Sequence, residues 1–270
     1  MTKDIGRSFN LVTLGCAKNR VDSEGMSTLL LERGYAEREA PEEADVLVHG
    51  NAGLRVKART RNQQRLVEAV NTNDMVFAIG PAGTGKTYTA VALAVKALRD
   101  RQVRRIILTR PAVEAGENLG FLPGDLREKL DPYLQPLYDA LKDMVPLQRL
   151  AEHLENGVIQ IAPLAFMRGR TLDHAFVILD EAQNATLPQL KMFLTRMGRN
   201  AKFVITGDVT QVDLPERQPS GLMPTVTMLK DVEGINVIEL DEKDVIRHAL
   251  VTKVLGAFKE MEKREKEKRS

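Results

Sequence analysis

Gly80-Pro81-Ala82-Gly83-Thr84-Gly85-Lys86-Thr87 is the stretch that decides how this 270-residue chain is read. It fits the pattern G-x-x-x-x-G-K-[ST], and each residue type has a physical reason for its place. The glycines let the backbone turn so that successive N–H groups point at phosphate oxygens. Lys86 sets a positive charge against the β- and γ-phosphates, and Thr87 offers a hydroxyl to Mg²⁺. A helix opening near Gly85 adds its positive end to the same anion site. The context suits the pattern: the apolar run Met75–Ile79 reads as a strand entering the loop, and Lys86–Arg99 reads as the helix leaving it.

Two further polar clusters follow downstream. Val177-Ile178-Leu179-Asp180-Glu181 sets two carboxylates at the C-terminal end of an apolar strand, the edge where open α/β sheets bind ligands. Asp180 suits a Mg²⁺ ligand, directly or through water, and Glu181 suits the polarisation of an attacking water. Read alone, the pair is better taken as a solvated acidic turn; beside a phosphate loop some 90 residues upstream it reads as functional. Lys202–Thr206 is a strand-like run ending in Thr206-Gly207-Asp208, with Gln211 three positions on. This group can sense a γ-phosphate or the attacking water, and its bland reading is a Gly-Asp turn.

The rest of the main body, residues 51–258, alternates in the same way. Strands are expected at Arg105–Thr109, Val158–Ala162, Phe176–Leu179 and Ile235–Leu240, and helices at Pro188–Met197 and Asp244–Lys259. Short, nearly continuous apolar runs between helices predict an α/β fold with a mostly parallel sheet covered on both faces. Residues 111–156 carry Pro111, Pro123, Pro132, Pro136 and Pro146 among short helical stretches, which reads as an insertion. Residues 1–50 form an acidic appendage with six Lys/Arg against nine Asp/Glu, and residues 259–270 are a charged tail. Within the appendage Phe9–Leu14 and Asp45–Val48 read as strands and Arg20–Arg33 as a helix.

Composition narrows the function. The formal net charge is +2, so attraction to nucleic acid or a membrane surface must come from a local patch. Hydrophobic residues make up 43%, enough for a sizeable core. Aromatic content is 4% with no Trp, which argues against a broad stacking platform for bases. The four histidines are scattered, and the single cysteine, Cys16, forms no internal disulfide and no all-cysteine metal site. Apolar runs are too short for a membrane span, and a cytoplasmic protein is expected. One candidate patch is the run Arg55, Lys57, Arg59, Arg61 and Arg65, with no acid before Glu68. It can track a phosphate backbone or serve as a solvated linker. Arg168 and Arg170 are a second candidate, for RNA, for a neighbouring subunit's nucleotide, or for surface acids.

Together these residues resemble the PhoH-like family of P-loop ATPases over about residues 55–258. The resemblance runs through Ile79–Ala90, Leu108–Glu117, Leu119–Asp125, Ile161–Thr171, Asp180–Asn184 and Phe193–Arg196. It implies a nucleotide core like that of superfamily 1 helicases. There the glutamine before the phosphate loop reads adenine and falls on Gln63 or Gln64. Asp180-Glu181-Ala182-Gln183 looks like a helicase motif II, and Gly207-Asp208 with Gln211 looks like motif III. Arg247 looks like the late arginine that contacts the γ-phosphate, in the same subunit or a neighbour. The resemblance also implies ATP and Mg²⁺ as cofactors, a homo-oligomer in the form of a hexameric ring, single-stranded RNA, and an endoribonuclease partner in ribosomal RNA maturation. Only one nucleotide core is read in the chain, so unwinding of a duplex would need an oligomer, or does not occur.

The appendage is similar to something else. Val12-Thr13-Leu14-Gly15-Cys16-Ala17-Lys18-Asn19 with Val21-Asp22-Ser23-Glu24 resembles the start of methylthiotransferases, radical enzymes with two iron–sulfur clusters. The resemblance makes Cys16 a cluster ligand and stops after Val48. The sequence has no second cysteine, so neither cluster can be built from protein ligands. Three activities stay open for the main body. It is an ATPase acting with RNA, a module whose nucleotide state controls assembly with a partner, or a small-molecule kinase.

Overall fold

The computed structural model describes residues 57–111, 134–215 and 217–245, with only the backbone described for 8–9, 36–37 and 126–133. Two short strands, β1 (Ser8–Phe9) and β2 (Ala36–Glu37), pair in parallel. The helix expected at Arg20–Arg33 and the strand at Asp45–Val48 lie outside the described residues.

Six parallel strands form the main sheet. They are β3 (Met75–Ile79), β4 (Arg105–Arg110), β5 (Ile159–Pro163), β6 (Ala175–Leu179), β7 (Lys202–Gly207) and β8 (Ile235–Glu239). Their spatial order is β5-β4-β6-β7-β3-β8, and each strand expected within residues 51–258 is present to within one residue at either end, whereas the one expected at Phe9–Leu14 lies outside the described residues but for Phe9. The helices are α1 (Arg61–Thr72), α2 (Lys86–Arg99), α3 (Leu126–Met144), α4 (Leu147–Glu155), α5 (Leu187–Leu194) and α6 (Leu222–Leu229).

Alternation along the strands builds the core in two layers. On β3, Val76 and Ala78 face one side and pack with the apolar faces of α1 to α4, including Leu66, Val91, Leu137 and Leu150. Met75, Phe77 and Ile79 face the other side, with Leu190 and Phe193 of α5 and Leu222 of α6. Phe193 meets Phe203 of β7 at a ring separation of 5.1 Å, a tilted aromatic pair that joins α5 to the sheet.

The structure corrects several helix expectations. Of the basic run 55–65, residues 57–60 lead into α1, and Arg61 and Arg65 lie in its first turns. Thr60 caps this helix by accepting the Gln63 amide at 3.2 Å. Among its described residues the insertion at 111–156 holds two helices, and the 19-residue α3 contains both Pro132 and Pro136. Each proline removes one intrahelical donor. Pro136 is exposed, so the carbonyl it leaves without a partner can turn to water. The helix expected at Pro188–Met197 ends at Leu194. Of the one expected at Asp244–Lys259, only Asp244 and Val245 are described, and Asp244 closes a 3₁₀ turn, Glu242–Asp244. The charged tail also lies outside the described residues.

Parallel pairing brings the functional segments to one edge. Ile79 pairs with Gly207 and Leu179 with Ile205, so the phosphate loop, Asp180 and Asp208 all emerge at the C-terminal ends of adjacent or next-adjacent strands.

Candidate active site

The phosphate loop curls between β3 and α2. Gly85 caps α2 in the left-handed region at φ 78°, which glycine adopts without a Cβ penalty. A Cβ on Gly80 would come within 2.3 Å of the Leu240 carbonyl oxygen, so the loop can pass β8 only with glycine there. Lys86 Nζ donates to the carbonyls of Gly80 at 2.6 Å and Pro81 at 2.8 Å. Thr84 is buried, and its hydroxyl donates to the same Pro81 carbonyl at 2.9 Å.

Asp180 is the hub. It is 1% exposed and accepts the Thr87 hydroxyl at 2.6 Å, the Thr206 hydroxyl at 2.6 Å and Arg110 Nε at 2.7 Å. A buried carboxylate is tolerated when donors of this kind surround it. Arg110 Nη2 also lies 2.6 Å from Asp180 and 3.5 Å from Glu181 Oε1, so one guanidinium relieves the repulsion between two successive carboxylates.

Glu181 differs from its neighbour. Its side chain is 39% exposed, and its backbone sits in the left-handed region at φ 55°. A non-glycine residue there costs on the order of 1 kcal/mol, and such residues cluster at functional sites. The carboxylate is aimed by Gln183, whose Nε2 donates to Glu181 Oε2 at 2.6 Å and to the Gln211 carbonyl at 3.0 Å. The other end of that buried amide, Oε1, accepts the Asp208 backbone N–H at 3.0 Å.

Asp208 is buried and lines the cavity, and its carboxylate already has partners. Oδ2 accepts the Ala82 amide at 2.8 Å, and Oδ1 accepts the Thr210 amide and hydroxyl at 2.9 and 2.7 Å. Gln211 is exposed at the cavity rim. Gln63 reaches the loop from α1: its Nε2 donates to the Thr84 carbonyl at 2.9 Å, and its Oε1 accepts the Arg59 amide at 2.8 Å. It therefore braces the loop from behind and does not line the cavity. Gln64 is exposed. Arg168 and Arg170 do not line the cavity either, and Arg247 lies outside the described residues.

Sequence reasoning missed Arg110 and Tyr88 as site residues, and it placed Thr206 and Gln183 in motif-like runs without a role of their own. Arg110 and Thr206 were detectable, because each sits at the C-terminal end of an apolar strand beside the acid pair. Tyr88 lines the cavity. Its hydroxyl is pushed above the ordinary phenol value by burial and then by Asp143, against the pull of Arg59.

The result is a cavity of about 250 Å³ with the loop and Lys86 on one side and the two carboxylates on the other. Backbone amides and an ammonium suit phosphate oxygens. The all-oxygen pair Thr87 Oγ1 and Asp180 Oδ1 suits Mg²⁺ rather than a softer metal. The donor set therefore fits a magnesium-bound nucleoside triphosphate.

Comparison with known proteins places the chain in a family. Residues 55–259 match the family described as PhoH-like protein. Residues 8–94 match Uncharacterized protein family UPF0004, the family of the methylthiotransferase N-terminal domain, so that match runs past Val48 and overlaps the first. The PhoH-like protein of Bacillus subtilis (strain 168) is 59% identical over 206 residues, covering 76% of this chain and 65% of that protein. The PhoH-like protein of Mycobacterium tuberculosis (strain ATCC 25618 / H37Rv) is 56% identical over 221 residues, covering 82% and 63%. Protein PhoH of Escherichia coli (strain K12) is 43% identical over 205 residues, covering 75% and 58%. The chain thus spans a little under two thirds of the length of these relatives. The solved UvsW helicase of bacteriophage T4 aligns with a TM-score of 0.43 at 12% identity, over 80% of this chain and 77% of that one, a level that decides nothing about chemistry. The first match takes in all six strands of the main sheet together with the phosphate loop and the acid pair: the chain belongs to the PhoH-like protein family.

Proposed function

We propose that this chain is a Mg²⁺-dependent ATPase that works with RNA. The observation that carries the ATPase half is the 2.6 Å hydrogen bond from Thr87 to Asp180, two residues 93 positions apart in sequence. It joins the phosphate loop to the acid pair around one cavity. In this reading the loop amides and Lys86 hold the triphosphate, and Thr87 with Asp180 holds Mg²⁺. The bound ion would draw charge from the β- and γ-oxygens. Glu181, held by Gln183 and partly solvated, orients the attacking water and accepts its proton at a carboxylate oxygen. Its place beside the triphosphate favours water over a metabolite as phosphate acceptor.

The RNA half follows from the family resemblance. So do a hexameric ring in which Arg247 reaches a nucleotide, RNA unwinding by that ring, an endoribonuclease partner, and a cytoplasmic location. Among the described residues no helix is long and apolar enough to cross a membrane.

Two substitutions test the enzyme. Lys86→Ala should abolish ATP binding and hydrolysis together. Glu181→Gln should keep a fluorescent ATP analogue bound while turnover falls by roughly 10²–10⁴, the usual worth of a general base. Free phosphate is the expected product, and single-stranded RNA should raise its release. Hydrolysis that survives both substitutions, or a phosphorylated metabolite as product, overturns the assignment.

A further inference from the structure

The edge of the sheet opposite the phosphate loop is unlike the rest of the molecule. Three connections enter the adjacent strands β4, β6 and β7 there, through residues 101–105, 168–174 and 196–202. Together they carry Arg101, Arg104, Arg105, Arg168, Arg170, Arg196, Arg199 and Lys202 against one carboxylate, Asp173.

Backbone hydrogen bonds fix the three segments side by side. The Arg104 amide donates to the His174 carbonyl at 2.8 Å, the His174 amide to the Arg199 carbonyl at 2.7 Å, and the Leu172 amide to the Arg196 carbonyl at 2.9 Å. Asp173 is committed to the chain as well, since its Oδ1 accepts the Arg199 amide at 2.7 Å. The guanidinium groups that do find partners find neutral ones. Arg105 donates to the Asp173 carbonyl at 3.1 Å, Arg170 to Gln160 Oε1 at 2.6 Å, and Arg196 to the Met192 carbonyl at 3.0 Å. Among the described residues, none of these seven arginines forms an ion pair with a carboxylate. Arg170 is held below its ordinary value by burial and by the neighbouring charge of Arg105, and Lys202 below its own by burial, against the pull of Asp74.

We propose that this edge binds the phosphodiester backbone of a nucleic-acid strand without reading its bases. Arginine forks match phosphate geometry, and holding them by neutral acceptors aims them without cancelling their charge. Adjacent strands lie about 4.8 Å apart, so the three segments span roughly 10 Å. That is about three phosphates at roughly 3.4 Å per residue of a stacked strand. The three segments contain no Phe, Tyr or Trp, so no base-stacking surface accompanies the charge. None of the large exposed apolar residues lies in them, so a folded protein partner would find no apolar centre for an interface. The strand β4 between its first and last residues separates this edge from the nucleotide cavity, and the proposal stands whether or not the chain hydrolyses ATP.

The test is fluorescence anisotropy of the full chain with a labelled single-stranded 20-residue RNA and with DNA of the same sequence. Both should bind alike, and affinity should fall roughly twentyfold between 50 and 200 mM salt, as about three contacted phosphates require. Arg104, Arg168 and Arg199 are exposed, and among the described residues none of their side chains makes a hydrogen bond, so R104E/R168E/R199E should fold. It should bind both strands more than tenfold more weakly and bind an ATP analogue as the parent does. Equal affinity of parent and triple variant, recognition of RNA but not DNA, or displacement of the strand by polyglutamate of equal charge would overturn the proposal. Loss of ATP-analogue binding in the parent would instead count against the ATPase reading alone.

Discussion

The two edges of the main sheet are built from the same parallel strands and are organised in opposite ways. At the loop edge almost every polar side chain has closed on another. Asp180 takes three donors, Asp208 takes three, and both ends of the Gln183 amide are engaged. At the far edge backbone bonds do the organising and the arginines keep their charge. An edge closed upon itself is rigid before any ligand arrives, which is what electrostatic catalysis requires. An edge held by backbone bonds and neutral acceptors keeps its charge for a regular polyanion.

The largest test of this contrast is Arg110→Ala. It strips Asp180, 1% exposed in the parent, of the Arg110 guanidinium, and loss of one partner of a buried pair costs about 3–5 kcal/mol. Urea unfolding should show a loss near the lower figure, and a loss below about 1 kcal/mol would mean that the loop edge is not closed in this way. Next comes Gln183→Ala. It leaves the phosphate loop intact and frees the Glu181 carboxylate, so turnover should fall about tenfold, roughly 1.4 kcal/mol in the barrier, with ATP affinity within twofold. An equal loss in both would make Gln183 a general brace.

Asp244→Asn probes the outer end of the same edge with a pH signature. Burial raises the Asp244 carboxyl, but hydrogen bonds from Thr60, Asn62 and the Asp241 amide outweigh it and hold it below the usual value. A depressed carboxyl stabilises the fold above its unfolded value of about 3.9, and that contribution disappears as pH falls through the folded value. The variant should be less stable by about 1 kcal/mol at pH 7, and its gap from the parent should close below about pH 4. The smallest effect belongs to the far edge: Arg199→Ala should stay within about 0.5 kcal/mol, because only its backbone is engaged.

What could be read from the sequence follows the range of the interactions. Helix α2 matches Lys86–Arg99 at both ends because strand, loop and helix are encoded in consecutive residues. The strands were legible because burial on both faces writes itself as an apolar run. Helix α1 hid behind its charges: Arg61, Gln64 and Arg65 are exposed, while Leu66, Val67 and Val70 carry the packing. Helix α6 hid behind Gly221 and Pro224 in its opening turn, and α3 behind its two prolines. In the site, residue types at fixed spacing could be read, but their partners could not. Nothing local says that Arg110 will meet Asp180 across 70 residues, or that Gln63 will spend its amide on Thr84.

One contact at the loop edge changes how occupancy is to be pictured. The Ala82 amide, a natural phosphate donor, already has the Asp208 carboxylate upon it at 2.8 Å. Any phosphate oxygen that claims this amide evicts a resident anion. Calorimetry of ATP-analogue binding should therefore register the difference between two attachments, and the carboxylate that would be displaced is the same one that holds Thr210.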